Sequence, residues 1–178
     1  MNKFKTFLLI FLCLSFNIYA QEEEIDKENS EEQKNQITLV LGYTHIPEAF
    51  EEGEFNKSVF VPTIGIDYFR ELNEKWFIGV VLDLELGNYL IGFNQEELER
   101  ESALIIGALA GYEILENLSL MAGPGIEFEK NKNLFVFRVG TEYRFPLNNN
   151  WSILPSFNYD FKEEYSTWAI NIGIAKKF

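Results

Sequence analysis

Apolar and polar residues alternate one by one along most of the chain after residue 35, in blocks of about ten residues. In the block 76–87, one set of alternate positions is large and apolar, namely Trp76, Ile78, Val80, Leu82, Leu84 and Leu86. Period-two alternation is typical of a β-strand whose two faces meet different environments. No run of about 20 apolar residues, the length that a membrane helix needs, occurs between 36 and 178. The sequence therefore predicts an all-β domain over 36–178.

Eight such blocks can be counted, at 36–46, 58–70, 76–87, 101–112, 118–128, 134–145, 151–161 and 165–178. The gaps near 71–75, 113–117 and 146–150 are short, whereas the gaps near 47–57, 88–100, 129–133 and 162–164 vary and the first two are long. Short turns at one end and longer loops at the other are typical of outer-membrane barrels. We therefore predict an eight-stranded antiparallel up-and-down transmembrane β-barrel.

A weak internal repeat supports this register. Tyr68, Tyr112 and Tyr143 each precede an asparagine by five residues, and Trp76, Leu120 or Trp151 follows eight residues after each tyrosine. A tight hairpin with an asparagine in its turn explains this spacing.

The second face of the predicted strands carries small and ionised residues. Its predicted polar network in the lumen comprises Asp67, Asp83, Glu85, Glu127, Arg138, Glu142 and Arg144. Both signs of charge are present, so pairing can limit the cost of enclosing them. A membrane barrel turns its apolar side chains toward lipid, whereas a soluble barrel turns them inward. A soluble lipocalin-like carrier, with a pocket lined by Trp76, Ile78 and Leu82, remains the structural alternative.

Aromatic residues cluster at the strand ends beside the short turns. They are Tyr68, Trp76, Tyr112, Tyr143 and Trp151. Membrane barrels place a girdle of aromatic side chains at the boundary between lipid and water. We therefore predict that these residues form such a girdle against outer-membrane lipid.

The first 35 residues read as two segments. Residues 1–20 carry Lys3 and Lys5, then an apolar run over 7–16, then Ala20, and this pattern predicts a secretory signal peptide. The one cysteine, Cys13, lies inside it. Residues 21–35 hold seven acidic residues and two lysines, and we predict a disordered acidic tail.

The C-terminal block carries a further signal. Asn171, Gly173 and Phe178 stand at spacings that resemble the β-signal of outer-membrane barrels. Over 36–178 the chain resembles the small barrels of the OmpA/OmpX type. The resemblance implies secretion through the inner membrane, recognition by the barrel-assembly machinery and a bacterial outer-membrane location.

The sequence constrains the function of the protein less than it constrains the fold. The net charge of −13 argues against nucleic-acid binding. His45 is the single histidine, and Ser58 and Ser102 open strands at the same predicted end, so a lipid-modifying enzyme that uses His45 is one alternative. The acidic runs Glu48, Glu51, Glu52 and Glu54, and Glu96, Glu97, Glu99 and Glu101, match no metal-binding motif and are expected to be solvated loops.

We expect a monomeric, non-enzymatic barrel with a structural, adhesive or surface-interaction role, without cofactor or bound metal. An interior of eight strands is only wide enough for side chains, so the charged residues are expected to close it to ions.

Overall fold

The computed structural model describes residues 33–47, 49–50, 58–93 and 96–178. The predicted signal peptide lies outside the described residues, as does the predicted acidic tail up to residue 32.

The described residues form twelve strands: β1 (Asn35–Ile46), β2 (Ala49–Phe50), β3 (Val59–Glu71), β4 (Trp76–Glu85), β5 (Asn88–Phe93), β6 (Glu96–Glu101), β7 (Leu104–Leu115), β8 (Leu118–Phe128), β9 (Leu134–Tyr143), β10 (Phe145–Pro146), β11 (Trp151–Lys162) and β12 (Ser166–Lys177). Of these described strands, eight make a closed antiparallel ring in the order β1, β3, β4, β7, β8, β9, β11 and β12. The ring closes where β12 pairs with β1, with Leu41 opposite Ile172. The predicted barrel is confirmed, and each strand boundary lies within three residues of its prediction.

Three tight connections lie at one end of the barrel, which we call the short-turn end. Asn73 accepts hydrogen bonds at Oδ1 from the backbone N–H groups of Lys75 and Trp76, both at 2.9 Å. Asn117 and Asn149 adopt positive φ angles of 67° and 57°, a region that asparagine tolerates better than most residues. Asparagine therefore supplies the turn conformation that sets the register of these hairpins.

The opposite end, which we call the long-loop end, differs from the sequence prediction. The long gap predicted at 88–100 contains β5 and β6, which pair with each other, and β2 pairs with β5. These strands form a separate three-stranded sheet. The glutamates of β6 belong to a strand, so the prediction of a loop there was wrong, although Glu99 and Glu101 are exposed to solvent. The alternation of Tyr89 and Ile91, which are both buried, is the signal that could have revealed β5.

The two faces of the barrel strands have opposite chemistry, as the alternation predicted. Asp83 and Glu85 point inward and are only 6% and 1% exposed. Trp76, Ile78 and Leu82 point outward and are 49%, 46% and 37% exposed. The soluble alternative, which needed these three residues to line an internal pocket, is therefore wrong.

The lumen also holds an apolar layer that the sequence pattern did not predict. It comprises Phe69, Val81, Leu109 and Met121, with Phe77 packed against them. Phe69 and Phe77 meet edge to face, with ring centroids 5.3 Å apart. A Cβ at Gly79 or Gly111 would collide with these rings, so each glycine leaves room for an inward aromatic side chain. The expectation of only small and ionised groups along the axis was therefore incomplete.

Candidate functional site

A network of buried charge crosses the middle of the lumen. Arg138 on β9 donates from Nε and Nη2 to the two carboxylate oxygens of Asp160 on β11, at 2.7 and 2.8 Å. Its Nη1 also pairs with Asp83 on β4, a strand that is not adjacent to β9. All three side chains are buried. Arg138 therefore ties non-neighbouring walls of the barrel together and fills its centre.

Asp67 and Glu142 lie next to this network and line a small cavity. The cavity has a volume of about 20 Å³, and Asp83, Arg138 and Asn158 also contribute to its wall. Such a volume accommodates about one water molecule. The middle of the lumen is therefore filled by side chains rather than open as a channel.

A second group of charges lies at the short-turn end. Glu71 pairs with Lys177 at 2.6 Å and with Arg144 at 3.8 Å. Arg144 also donates to the side-chain oxygen of Gln36 at 3.2 Å. These contacts close the lumen on the short-turn side of the apolar layer.

A third group fills the mouth at the long-loop end. Lys162 lies 3.3 Å from Glu85 and 2.5 Å from Glu127. Arg100 reaches in from β6, is fully buried, and pairs with Glu127 and, at 3.2 Å, with Glu129. Arg100 and Lys162 are absent from the predicted network. Arg100 fell in a predicted loop, and Lys162 stood at the first residue after a predicted strand.

Tyr165 links the mouth charges to an apolar cap. Its hydroxyl lies 2.9 and 3.1 Å from the two carboxylate oxygens of Glu127. The cap consists of Ile46, Ala49, Val61, Tyr89, Ile91, Leu134 and Tyr165. Because residues of β2 and β5 belong to this cluster, the additional sheet is attached to the barrel mouth by apolar contacts.

The mouth should respond to high pH through Tyr165. Burial raises the pKa of its hydroxyl from 10.0 to about 12, although Lys162 opposes the shift. The folded state thus holds the hydroxyl proton of Tyr165 more tightly than the unfolded state does. The resulting contribution to the free energy of unfolding is fully present below pH 10 and is lost as the pH rises toward 12. The shift corresponds to roughly 3 kcal/mol. We expect Tyr165→Phe to flatten the fall in unfolding free energy across this range, measured by denaturant unfolding; an unchanged slope would contradict the assignment.

The aromatic residues of the predicted girdle face outward at the short-turn end. Trp76 and Tyr112 touch, with ring centroids 4.9 Å apart. Lys176 lies over the ring of Trp151, 5.3 Å from its centroid. Tyr68 and Tyr143 are exposed at the same level. Their contact with a membrane interface stays a prediction.

The residues of the predicted assembly signal lie on different faces. Asn171 and Gly173 turn toward the lumen, and Phe178 is exposed at the short-turn end. Recognition of this pattern by an assembly machinery stays a prediction.

Among the described residues, His45 does not contact a serine or an acidic side chain. It faces outward on β1 between Phe60 and Trp168, with ring centroids 4.5 and 4.6 Å away. Its Nδ1 atom is buried and lacks a hydrogen-bond partner among the described residues. Ser58 and Ser102 are exposed and make no side-chain hydrogen bond within the described ranges. Within the described residues, the structure therefore does not bring His45 together with Ser58 or Ser102, as the lipid-modifying alternative required.

In the part of the chain that the structure describes, no group of three or more His, Cys, Asp or Glu side chains is arranged to hold a metal ion. The described residues contain no helix that is both long and apolar enough to cross a bilayer. The acidic residues Glu48, Glu51, Glu52 and Glu54 lie outside the described residues.

Comparison with known proteins gives matches among solved structures alone, since no family model and no curated protein matches the chain. Neisserial surface protein A (NspA) matches with a TM-score of 0.55 and 12% identity, over 81% of this chain and 97% of that one. The outer membrane protein AlkL matches with a TM-score of 0.51 and 8% identity, over 88% and 96% of the two chains. Ail of Yersinia pestis matches with a TM-score of 0.48 and 17% identity, over 82% and 99%. Because the sequence identities are this low, the matches to NspA and AlkL show a shared fold and nothing more. The chain has the fold of the small outer-membrane β-barrels.

Proposed function

We propose that this protein is a non-enzymatic barrel of a bacterial outer membrane with a structural, adhesive or surface-interaction role. The observation that carries the proposal is a belt of exposed apolar side chains around a closed ring whose interior holds the charges. In the described residues this belt includes Leu39, Leu41, Ile64, Ile66, Ile78, Val80, Leu120, Phe137, Val139, Ile170, Ile172 and Ile174. Soluble monomers rarely expose an apolar surface of this extent, whereas a barrel in lipid requires it.

The filled lumen favours a surface role over conduction. Charged side chains lie across its centre and both ends, an apolar layer lies between the centre and the short-turn end, and an apolar cap covers the mouth. The long-loop end instead carries additional structure, because β2, β5 and β6 form a sheet beyond the barrel strands. An acidic sheet and acidic loops there would be the part displayed to partners. On this proposal outer-membrane lipid contacts the belt, and the assembly machinery reads Asn171, Gly173 and Phe178.

Cell fractionation tests the location directly. We expect the protein in the outer-membrane fraction, and we expect the unheated form to migrate differently from the boiled form on a denaturing gel, because a closed barrel resists unfolding by detergent. Recovery as a soluble periplasmic protein without heat-dependent migration would contradict the proposal.

A charge placed in the belt tests its contact with hydrocarbon. Ile66 lies near the middle of the outward face of β3, and we expect Ile66→Arg to lower the free energy of unfolding in lipid vesicles by about 2–4 kcal/mol. Ile37 lies near the short-turn end, paired with Tyr68 and Lys176, so Ile37→Arg should cost only about 0–1 kcal/mol. Reversible urea unfolding in vesicles measures both values. Equal effects of the two substitutions would argue against a bilayer around the belt.

A further inference from the structure

The guanidinium of Arg100 occupies a pocket that the barrel strands and their loops build, although Arg100 itself belongs to the additional sheet. Its Nη2 pairs with Glu127 on β8, and its Nη1 lies 3.2 Å from Glu129 in the loop that follows β8. In addition, Nη1 donates to the backbone oxygen of Lys132 at 2.6 Å, and Nε lies 3.5 Å from the hydroxyl of Tyr165. The side chains of Arg100 and both glutamates are completely buried. We call the four groups around Arg100 the guanidinium pocket.

We propose that the guanidinium pocket is a binding site for an arginine side chain of a partner protein. Arg100 fills the pocket as an internal substitute while the additional sheet is closed, and the partner's arginine replaces it when the sheet lifts. The inference rests on the proposed surface-interaction role and names the chemistry of its partner, which is an extended segment with an arginine beside an aromatic residue.

The charges on the barrel side of the mouth favour a cationic occupant. Glu127 and Glu129 bind Arg100, and Lys162 pairs with Glu85 and Glu127. Without Arg100, these four barrel side chains comprise three carboxylates and one ammonium. A buried carboxylate without a partner is costly, so the open mouth still requires a cation. A planar guanidinium suits this pocket better than an ammonium, because its N–H groups reach two carboxylates and a carbonyl at once.

Strand register places an aromatic side chain beside the guanidinium. Tyr89 on β5 lies opposite Arg100 on β6, and its hydroxyl lies 3.1 Å from Glu85 and 3.3 Å from the hydroxyl of Tyr165. Tyr89 and Ile91 also belong to the apolar cap. The additional sheet thus presents an arginine, a tyrosine and an aliphatic side chain to the mouth. A partner segment with the same side chains would reproduce these contacts.

The connections between the additional sheet and the barrel form a hinge. Residues 86–87 link β4 to β5, and residues 102–103 link β6 to β7. The β4–β7 ladder ends at the pair Leu84 and Leu104, and the β5–β6 ladder begins one residue out of register, at Asn88 and Glu101. Ser102 has a φ of 51°, a left-handed conformation that is uncommon for residues other than glycine. Hinges typically consist of a few such residues at the ends of strands, so the sheet can lift without disturbing the barrel ladder.

Emptying the pocket tests its preference for a guanidinium. The full chain with Arg100→Ala is refolded in detergent, and its barrel is verified by heat-dependent gel migration. The probes are acetyl-Tyr-Arg-amide and acetyl-Tyr-citrulline-amide, which have the same shape and differ in charge. By calorimetry we expect the arginine peptide to bind about tenfold more tightly, the factor that one charge-assisted hydrogen bond supplies. Adding Glu127→Gln should remove this preference. Adding Glu164→Gln is the matched control, because Glu164 pairs with Lys132 outside the pocket.

The unmodified protein decides whether a partner can reach the pocket. Hydrogen exchange of 88–101 without peptide gives the ratio of closed to open sheet. The dissociation constant of the arginine peptide should be larger for the unmodified protein than for the Arg100→Ala variant by this ratio, because Arg100 competes for the pocket. At saturation the arginine peptide should also speed exchange within 88–101, since it holds the sheet open. The citrulline peptide should leave the exchange unchanged.

Each of three results would overturn the inference. Equal binding of the two peptides to the Arg100→Ala variant would show that the pocket does not select a guanidinium. Equal affinity of the arginine peptide for the variant and the unmodified protein would place its binding on the exposed acidic surface. Unchanged or slower exchange within 88–101, at the peptide concentration that the measured ratio requires, would show that Arg100 is a permanent anchor. These results leave the membrane location untouched, because cell fractionation tests it separately.

Discussion

Replacing Arg138 with leucine is expected to lower the free energy of unfolding by about 3–5 kcal/mol, because the substitution leaves two buried carboxylates without their partner. Asp160 loses two hydrogen bonds at 2.7 and 2.8 Å, and Asp83 loses its ion pair. Equilibrium unfolding of the refolded barrel in detergent or vesicles measures the change. The effect should be large because the network joins strands that are not neighbours in the ring.

Arg70 provides the matched control for Arg138. It lies on the exposed face of β3 and donates one hydrogen bond, at 3.2 Å, to the side chain of Asn35. Arg70→Leu should therefore change the unfolding free energy by less than about 1 kcal/mol, as exposed contacts generally do. Adding Asp83→Asn and Asp160→Asn to the Arg138→Leu variant should recover part of the loss, because the unpaired charges are then removed. A loss no larger than that of Arg70→Leu would show that the network does not stabilise the lumen.

Replacing Arg100 with methionine is expected to free the additional sheet from the mouth while the barrel itself stays closed. Arg100 is fully buried and pairs with Glu127 and Glu129, and its Nη1 donates to the backbone oxygen of Lys132 at 2.6 Å. Its guanidinium pKa is raised, since Glu127 and Tyr165 more than offset the lowering effect of burial, so it remains charged. Breaking such a pair costs about 3–5 kcal/mol, a large effect for a small sheet.

Limited proteolysis and hydrogen exchange measure this opening. We expect cleavage and faster exchange within 88–101, with the heat-dependent gel migration of the barrel unchanged. Lys132→Met is the control, because Lys132 is half-exposed in its pair with Glu164 and should have little effect. Protection of 88–101 equal to that of the unmodified protein would contradict the role of Arg100 as the link.

Ion conductance tests whether the charges at the mouth or the Arg138 network in the middle of the lumen block the passage of ions. Arg100→Met removes a contact at the mouth, but Arg138 with its two carboxylates still fills the middle of the lumen. We therefore expect planar-bilayer recordings of this variant to remain without substantial conductance. Large, stable conductance would show that the mouth is the single barrier and that the proposal of a filled, non-conducting barrel is wrong.

The sequence by itself determined the features that depend on neighbouring residues. Alternation places Leu82 outside and Asp83 inside because successive side chains of a strand point to opposite faces. Asn73 and Asn117 set tight turns through their own side-chain hydrogen bonds and backbone conformations, so strand number and register followed from local spacing. The inward position of each predicted lumen residue is a consequence of the same periodicity.

Only the tertiary structure decided which inward side chains meet. Asp83 and Arg138 are 55 residues apart and come from strands that are not adjacent, and Arg100 enters the mouth from a segment that looked like an acidic loop. The inward apolar layer around Phe69 depends on pairing between neighbouring strands, which places Gly79 opposite Phe69 and Gly111 opposite Phe77. Period-two alternation fixes the side of the wall on which a residue lies, but contacts across a closed barrel depend on strand tilt, closure and side-chain length. These are properties of the whole ring that no single strand encodes.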